Sequence, residues 1–191
     1  MAIVSIWEEE MSNVRGVNRQ FRSRSFVYGR FFAFLVSAGA IASAAFAETG
    51  GRPALATTNF DFRDTSGEVR DQTAEHEARL EAFNVTLRNG LSENPKFDLV
   101  ALTCQTDQCT AKDPGLDVLS ARAKTAGARF FLFGEIHKMS TLVGWVKFAV
   151  LDLNENKPVC DRFMTYRGDT DEAWQHAAKF TVRDIEKHCF P

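Results

Sequence analysis

Along residues 73–91 the apolar side chains Leu80, Phe83, Leu87 and Leu91 recur at spacings of three and four, which places them on one face of an amphipathic helix. Asn94-Pro95 stops that helix, because the residue before a proline is disfavoured in helical geometry. Residues 53–63, PALATTNFDFR, alternate in part through Leu55, Phe60 and Phe62 and predict a strand ended by Asp64-Thr65-Ser66-Gly67. A second strand is predicted over residues 97–103, FDLVALT, and it runs straight into CQTDQC. Pro114 then suits a first helical turn, Leu116, Leu119, Ala123 and Ala126 form a small-residue stripe, and Gly127 ends the helix. Three further strands follow over residues 128–137, 142–153 and 158–167, the last two joined by the turn NENK. A closing helix is predicted over residues 171–188, with Ala173, Ala177, Phe180 and Ile185 facing inward.

The element order is therefore β-α-β-α-β-β-β-α. Two helical crossovers imply parallel pairing at the start of the chain, and the short later connections imply an antiparallel meander. The expected fold class is α/β, a mixed sheet of about five strands with helices packed on it.

The first fifty residues change the picture. GRFFAFLVSAGAIASAAFA, residues 29–47, follows Arg22 and Arg24, includes Arg30, and has an apolar core from Phe31 to about Ala45. That is the layout of a secretory signal peptide, and Ala45-Phe46-Ala47 supplies small residues where a signal peptidase reads, so cleavage is predicted before Glu48. A membrane anchor needs about 20 apolar residues. The present run is shorter and rich in Ala, Ser and Gly, and polar ETGGRP follows it. Met11 is an alternative start that removes the three glutamates of MAIVSIWEEE. With no cysteine directly after the apolar core, a lipidated precursor is not expected. Residues 48–191 would form one exported domain, periplasmic and without stable membrane insertion after cleavage.

Residues 48–191 carry 18 basic and 22 acidic side chains and no Lys/Arg-rich run, whereas nucleic-acid binding calls for a basic field. No nucleic-acid partner is expected. Cys104, Cys109, Cys160 and Cys189 all lie in the exported part, where an even count reads as a disulfide framework. Of the three possible pairings, Cys104 with Cys109 and Cys160 with Cys189 is favoured: the first pair is close in sequence, and the second would tie the last helix to a strand.

The candidate chemistry is sparse. CQTDQC spaces its cysteines by four residues rather than two and follows a strand rather than opening a helix, so it reads as a staple more than as a redox centre. Cys160 and Cys189 do not complete a zinc site at finger spacing. The segment from Asp152 starts as a calcium loop does, but Lys157 stands where glycine is needed and Phe163 where a bidentate glutamate belongs. Asp169 and Glu172, three apart at the start of a helix, read as a capping arrangement. His76, His137, His176 and His188 are isolated in sequence; Glu135 and His137 share a strand face and could form an acid/base pair, although strand ends are commonly solvated.

The strand over residues 142–153 has apolar side chains on both faces, as a central strand covered on both sides would. The other reading is a partner-docking patch of Val143, Trp145 and Lys147.

The runs LATTNFDFRD, FDLVALT, AKTAGARFFLFGEIHKMSTLVGWVKFAVLDL and RGDTDEAWQHAAKFTVRDI resemble an uncharacterised family of exported proteobacterial domains of unknown function. In element order, and in the A-G-A-[RK]-[FY] approach to a strand ending in glycine, the chain also resembles the amino-terminal domain of the periplasmic translocation protein TolB. The curli secretion lipoprotein CsgG has a related domain. The resemblance implies a binding or assembly module and carries over no functional residues. The expected function is thus a non-catalytic periplasmic module, without a cofactor, that contacts another protein or an envelope component. The alternatives are a small-molecule or metal-binding accessory of a periplasmic enzyme system and a thiol-disulfide oxidoreductase.

Overall fold

The computed structural model describes residues 51–104 and 107–190. The predicted signal peptide lies outside them. Among the described residues six strands and three helices occur in the order β1 (Ala54–Thr57), β2 (Asp61–Asp64), α1 (Thr73–Ser92), β3 (Asp98–Val100), α2 (Leu116–Thr125), β4 (Phe130–Lys138), β5 (Val143–Asp152), β6 (Lys157–Arg167) and α3 (Asp171–His188). The sheet runs β3-β1-β4-β5-β6, and β2 also pairs with β4. Pairing is parallel for β1 with β3 and for β1 and β2 with β4, and antiparallel from β4 to β5 to β6. The mixed α/β sheet expected from the crossovers is the one observed.

The single first strand expected over residues 53–63 is two strands laid end to end along β4. Thr57 is level with Leu132 and Asp61 with Glu135, so this side holds one residue more than β4 and bulges between them. The backbone N–H freed at Phe60 donates to buried Asn84 Oδ1 at 2.9 Å, while the fully buried Phe60 ring lies over Gly134. A Cβ at Gly134 would also stand 2.8 Å from the Lys147 carbonyl oxygen, so glycine is required there. The strand expected over residues 97–103 shortens to Asp98–Val100, because its partner β1 offers a ladder only from Ala54 to Ala56.

Every residue of β4 is buried, so the strand is covered on both faces. On the first face Leu132, Ile136, Val146, Phe148 and Val150 form one core with Phe83, Leu87 and Leu91 of α1 and Trp174, Ala177, Ala178 and Ile185 of α3. Gly90 of α1 meets Val182 of α3 at the helix crossing. Phe180, expected inward, is exposed: the α3 stripe runs through 174, 177, 178, 181 and 185, which leaves Phe180 beneath Arg183 in solvent. The crossovers run from β2 out to β3 and then back past β1 to β4, in opposite directions, so the right-handed rule for such units puts α1 and α2 on opposite faces. The short α2 thus covers part of the second face with Leu116, Leu119 and Ala123.

Cys160 is bonded to Cys189 and Cys104 to Cys109. The first bond ties β6 to the end of α3, beside the Arg162–Asp184 pair at 2.8 Å. Lys96 Nζ caps the same helix end, donating to the carbonyls of Glu186 at 3.0 Å and Phe190 at 2.6 Å.

Candidate functional site

Strand register sets two rows of side chains across the second face, near the ends of β2 and β4. Asp61, Glu135, Lys147 and Phe163 form one row; Arg63, His137, Trp145 and Thr165 form the next. The rows interlock. Glu135 receives Lys112 Nζ at 2.8 Å and Arg63 at 3.4 Å. His137 lies between Thr65 Oγ1 at 2.6 Å and Arg63 at 3.4 Å, its ring edge-on to Trp145 with centroids 4.8 Å apart. Phe163 packs on the outer side of Trp145 at 5.6 Å.

Two groups in this network titrate away from their usual values. Burial and the neighbouring Glu135 charge raise the Asp61 carboxyl, against the opposing pull of Thr110 and Lys112. Burial, then the Arg63 guanidinium, lowers His137. Glu135 and His137 do share a face, yet both are buried under Arg63, Thr65, Lys112 and Trp145. They form a structural polar network in which each partner is another protein group. What this region offers outward is Phe163, 60 % exposed, and the β4–β5 turn, where Met139, Leu142 and Val143 are exposed.

Three residues read from the sequence as a docking patch occupy different depths. Val143 is 37 % exposed and Trp145 only 6 %. The Lys147 side chain is 25 % exposed and reaches Asp161 at 4.0 Å. Trp145 is the floor of the surface, and Phe163 and the turn are its accessible parts.

The first face carries a second polar cluster at the same end of the sheet. Asp169 accepts from Lys138 Nζ at 2.8 Å, His76 Nε2 at 3.0 Å, Trp174 Nε1 at 3.0 Å and Arg79 at 3.1 Å. Burial alone would raise its carboxyl, but these donors hold it at about 2. Asp169 therefore does not cap α3. Thr170 does, accepting from the Ala173 N–H at 3.2 Å, while Asp169 turns inward. The isolated-looking His76 and Asp169, 93 residues apart, are brought together only by the tertiary fold. Beside them, the end of β2, the loop that follows and the start of α1 wall a cleft of about 470 Å³ with Asp64, Glu68, Arg70, Asp71, His76 and Glu77.

Cys104, Asp107 and Cys109 bring potential metal-ligand atoms within 4.8 Å of one another. Both sulfurs are spent in their mutual bond, and Asp107 is engaged by Arg122 at 2.7 Å. A carboxylate beside these sulfurs would disfavour a thiolate, and Cys109 is buried, both contrary to what a redox cysteine needs.

Residues 53–185 match the model of the DUF3280 family, described as "Protein of unknown function (DUF2380)", and the chain belongs to that family. This bears out the resemblance to a family of domains of unknown function. Among solved structures, hypothetical protein CT253 from Chlamydia trachomatis is similar at 13 % identity and TM-score 0.49, over 73 % of this chain and 98 % of that one. The LpoB C-terminal domain from Salmonella enterica is similar at 18 % identity and TM-score 0.40, over 60 % and 82 %. TolB from Acinetobacter baumannii is similar at 12 % identity and TM-score 0.44, over 72 % of this chain and 28 % of TolB. The chain has no significant match among curated proteins. Among the described residues, no helix is long and apolar enough to cross a membrane.

Proposed function

We propose that the protein is a non-catalytic periplasmic binding or assembly module, delivered by a cleaved signal peptide of residues 1–47, whose protein or envelope partner docks on the open end of the second sheet face. Val143, Trp145 and Lys147 belong to that surface. The observation that carries the reading is the exposed apolar set of Met139, Leu142, Val143 and Phe163 around the Trp145 floor, flanked by Arg63 and Lys147. Aromatic side chains beside arginine are the composition that interface hot spots favour. Two disulfides suit the oxidising compartment this requires.

Photoreactive residues placed at Leu142 and at Phe163 in cells test the reading, with Phe180 on α3 as the control site. Adducts to another protein are expected at the first two positions and not at the third. Equal labelling at all three, or no heterologous adduct, would overturn it.

The cleft beside His76 favours a second reading, a small-molecule accessory, since its 470 Å³ falls within the range of ligand pockets and its walls carry both charges. A metal and metabolite screen that leaves the unfolding midpoint unmoved would remove that reading.

A further inference from the structure

The outer edge of β6 carries backbone groups and charges that are self-complementary about a twofold axis. β6 ends the sheet, and among the described residues no strand pairs with its far side. The ladder with β5 decides which backbone groups remain free. Gly168 N–H donates to the Leu142 carbonyl, so even-numbered residues of β6 exchange their hydrogen bonds with β5. The N–H and C=O groups of Asp161, Phe163, Thr165 and Arg167 consequently point away from the sheet. The same four residues are exposed, whereas Cys160, Arg162, Met164 and Tyr166 turn towards α3 and are partly covered.

Exposed edges are ordinarily blunted by proline, by bulges or by charged side chains. In β6 the proline, Pro158, and the register shift opposite Val150 and Leu151 are confined to the beginning of the strand. From Asp161 onward the edge has neither, and the two charges it exposes, Asp161 and Arg167, have opposite sign and so can pair with a second copy. Asp161 and Arg167 stand three residues either side of Met164. An antiparallel twofold pairing centred on Met164 therefore sets Asp161 opposite Arg167 of the second copy, and Arg167 opposite its Asp161. It also sets Phe163 opposite Thr165 and brings the free N–H and C=O groups of all four residues into register as hydrogen-bonded pairs.

The Asp161 side chain is half exposed and its ion pair with Lys147 is long, at 4.0 Å, while among the described residues Arg167 has no ion pair. Both charges are thus available for an intermolecular pair. We infer that the protein self-associates as a twofold dimer through β6, with Asp161 and Arg167 setting the register. The dimer joins two sheets into one and does not depend on the docking of another partner.

The test is sedimentation equilibrium of the purified, disulfide-intact protein and of two single charge reversals. The wild type is expected to dimerise reversibly with rising concentration. Asp161→Arg and Arg167→Asp each place like charges opposite one another twice, and each is expected to weaken dimerisation about 10- to 30-fold. Mixing the two variants restores opposite charges at both positions, so the mixture is expected to form a heterodimer within about threefold of wild-type affinity. That recovery also shows both variants to be folded. A wild type that stays monomeric leaves the edge to some other strand and overturns the pairing with a second copy. A dimer insensitive to both reversals, or no gain on mixing, overturns it as well.

Discussion

Lys138 and Asp169 form an ion pair of 2.8 Å at the end of the sheet, with the ammonium-bearing side chain 2 % exposed and the carboxylate side chain 10 %. Burial on its own would lower the lysine, but hydrogen bonds with Asp169 and Glu68 carry it above its ordinary value. Removing one member of such a pair strands the other. Asp169→Asn is expected to destabilise the protein by about 2–4 kcal/mol, at the lower end if Glu68 and Gln72 retain the ammonium, as read by urea unfolding at pH 7.

The same carboxylate predicts an acid limb. Its folded value of about 2 lies below the ordinary 3.8, so its contribution is present above about pH 4 and is lost as pH falls towards 2. Unfolding free energies measured across that window should decline in the wild type and decline less steeply in Asp169→Asn.

His137 predicts a second, separate titration. Burial and Arg63 set its folded value below the ordinary 6.5, so the neutral ring stabilises above that pH and the contribution fades as pH falls through the folded value. An NMR titration of the ring proton should give a midpoint below 6.5, and Arg63→Gln should move it upward.

At the bulge, Gly134→Ala forces a methyl group against the Phe60 ring and a strand carbonyl, and it is expected to cost about 1–3 kcal/mol in chemical denaturation. In a Phe60→Leu background the same substitution should cost less, because the ring it strikes is gone.

The two disulfides differ in loop length, with separations of 29 and 5 residues. On the chain-entropy argument, replacing Cys160 and Cys189 together by alanine should lower stability by about 3.5 kcal/mol, against about 2 kcal/mol for Cys104 and Cys109. Paired thermal and urea unfolding of the two double variants checks the ranking.

Helices α1 and α3 and the β4–β5–β6 meander were legible because each carries its own periodicity: Phe83, Leu87 and Leu91 sit one turn apart, and β4 and β5 are long apolar runs. The break between β1 and β2 was not, since Phe60 continues the apolar alternation and only β4, seventy residues on, reveals the extra residue. Phe180 was misplaced because an aromatic at a near-correct spacing mimics the inward stripe. The Asp169 cluster was hidden for a deeper reason: its members come from α1, β4, α3 and the turn before α3, and no local pattern marks a carboxylate as the acceptor for distant cations. The Glu135–His137 face was visible from strand alternation, whereas its covering by Arg63, Thr65 and Lys112 came only with the fold.

Alternation along a strand sends neighbouring residues to opposite faces, and at this end of the sheet it does so twice. Thr65 follows Asp64, and Lys138 follows His137: Thr65 and His137 bond to each other on the second sheet face, while Asp64 and Lys138 lie together on the cleft side. The two surfaces are thus separated by a single layer of backbone. On the reading proposed above, any coupling between a ligand of the cleft and a partner on the sheet face would act in equal measure in both directions.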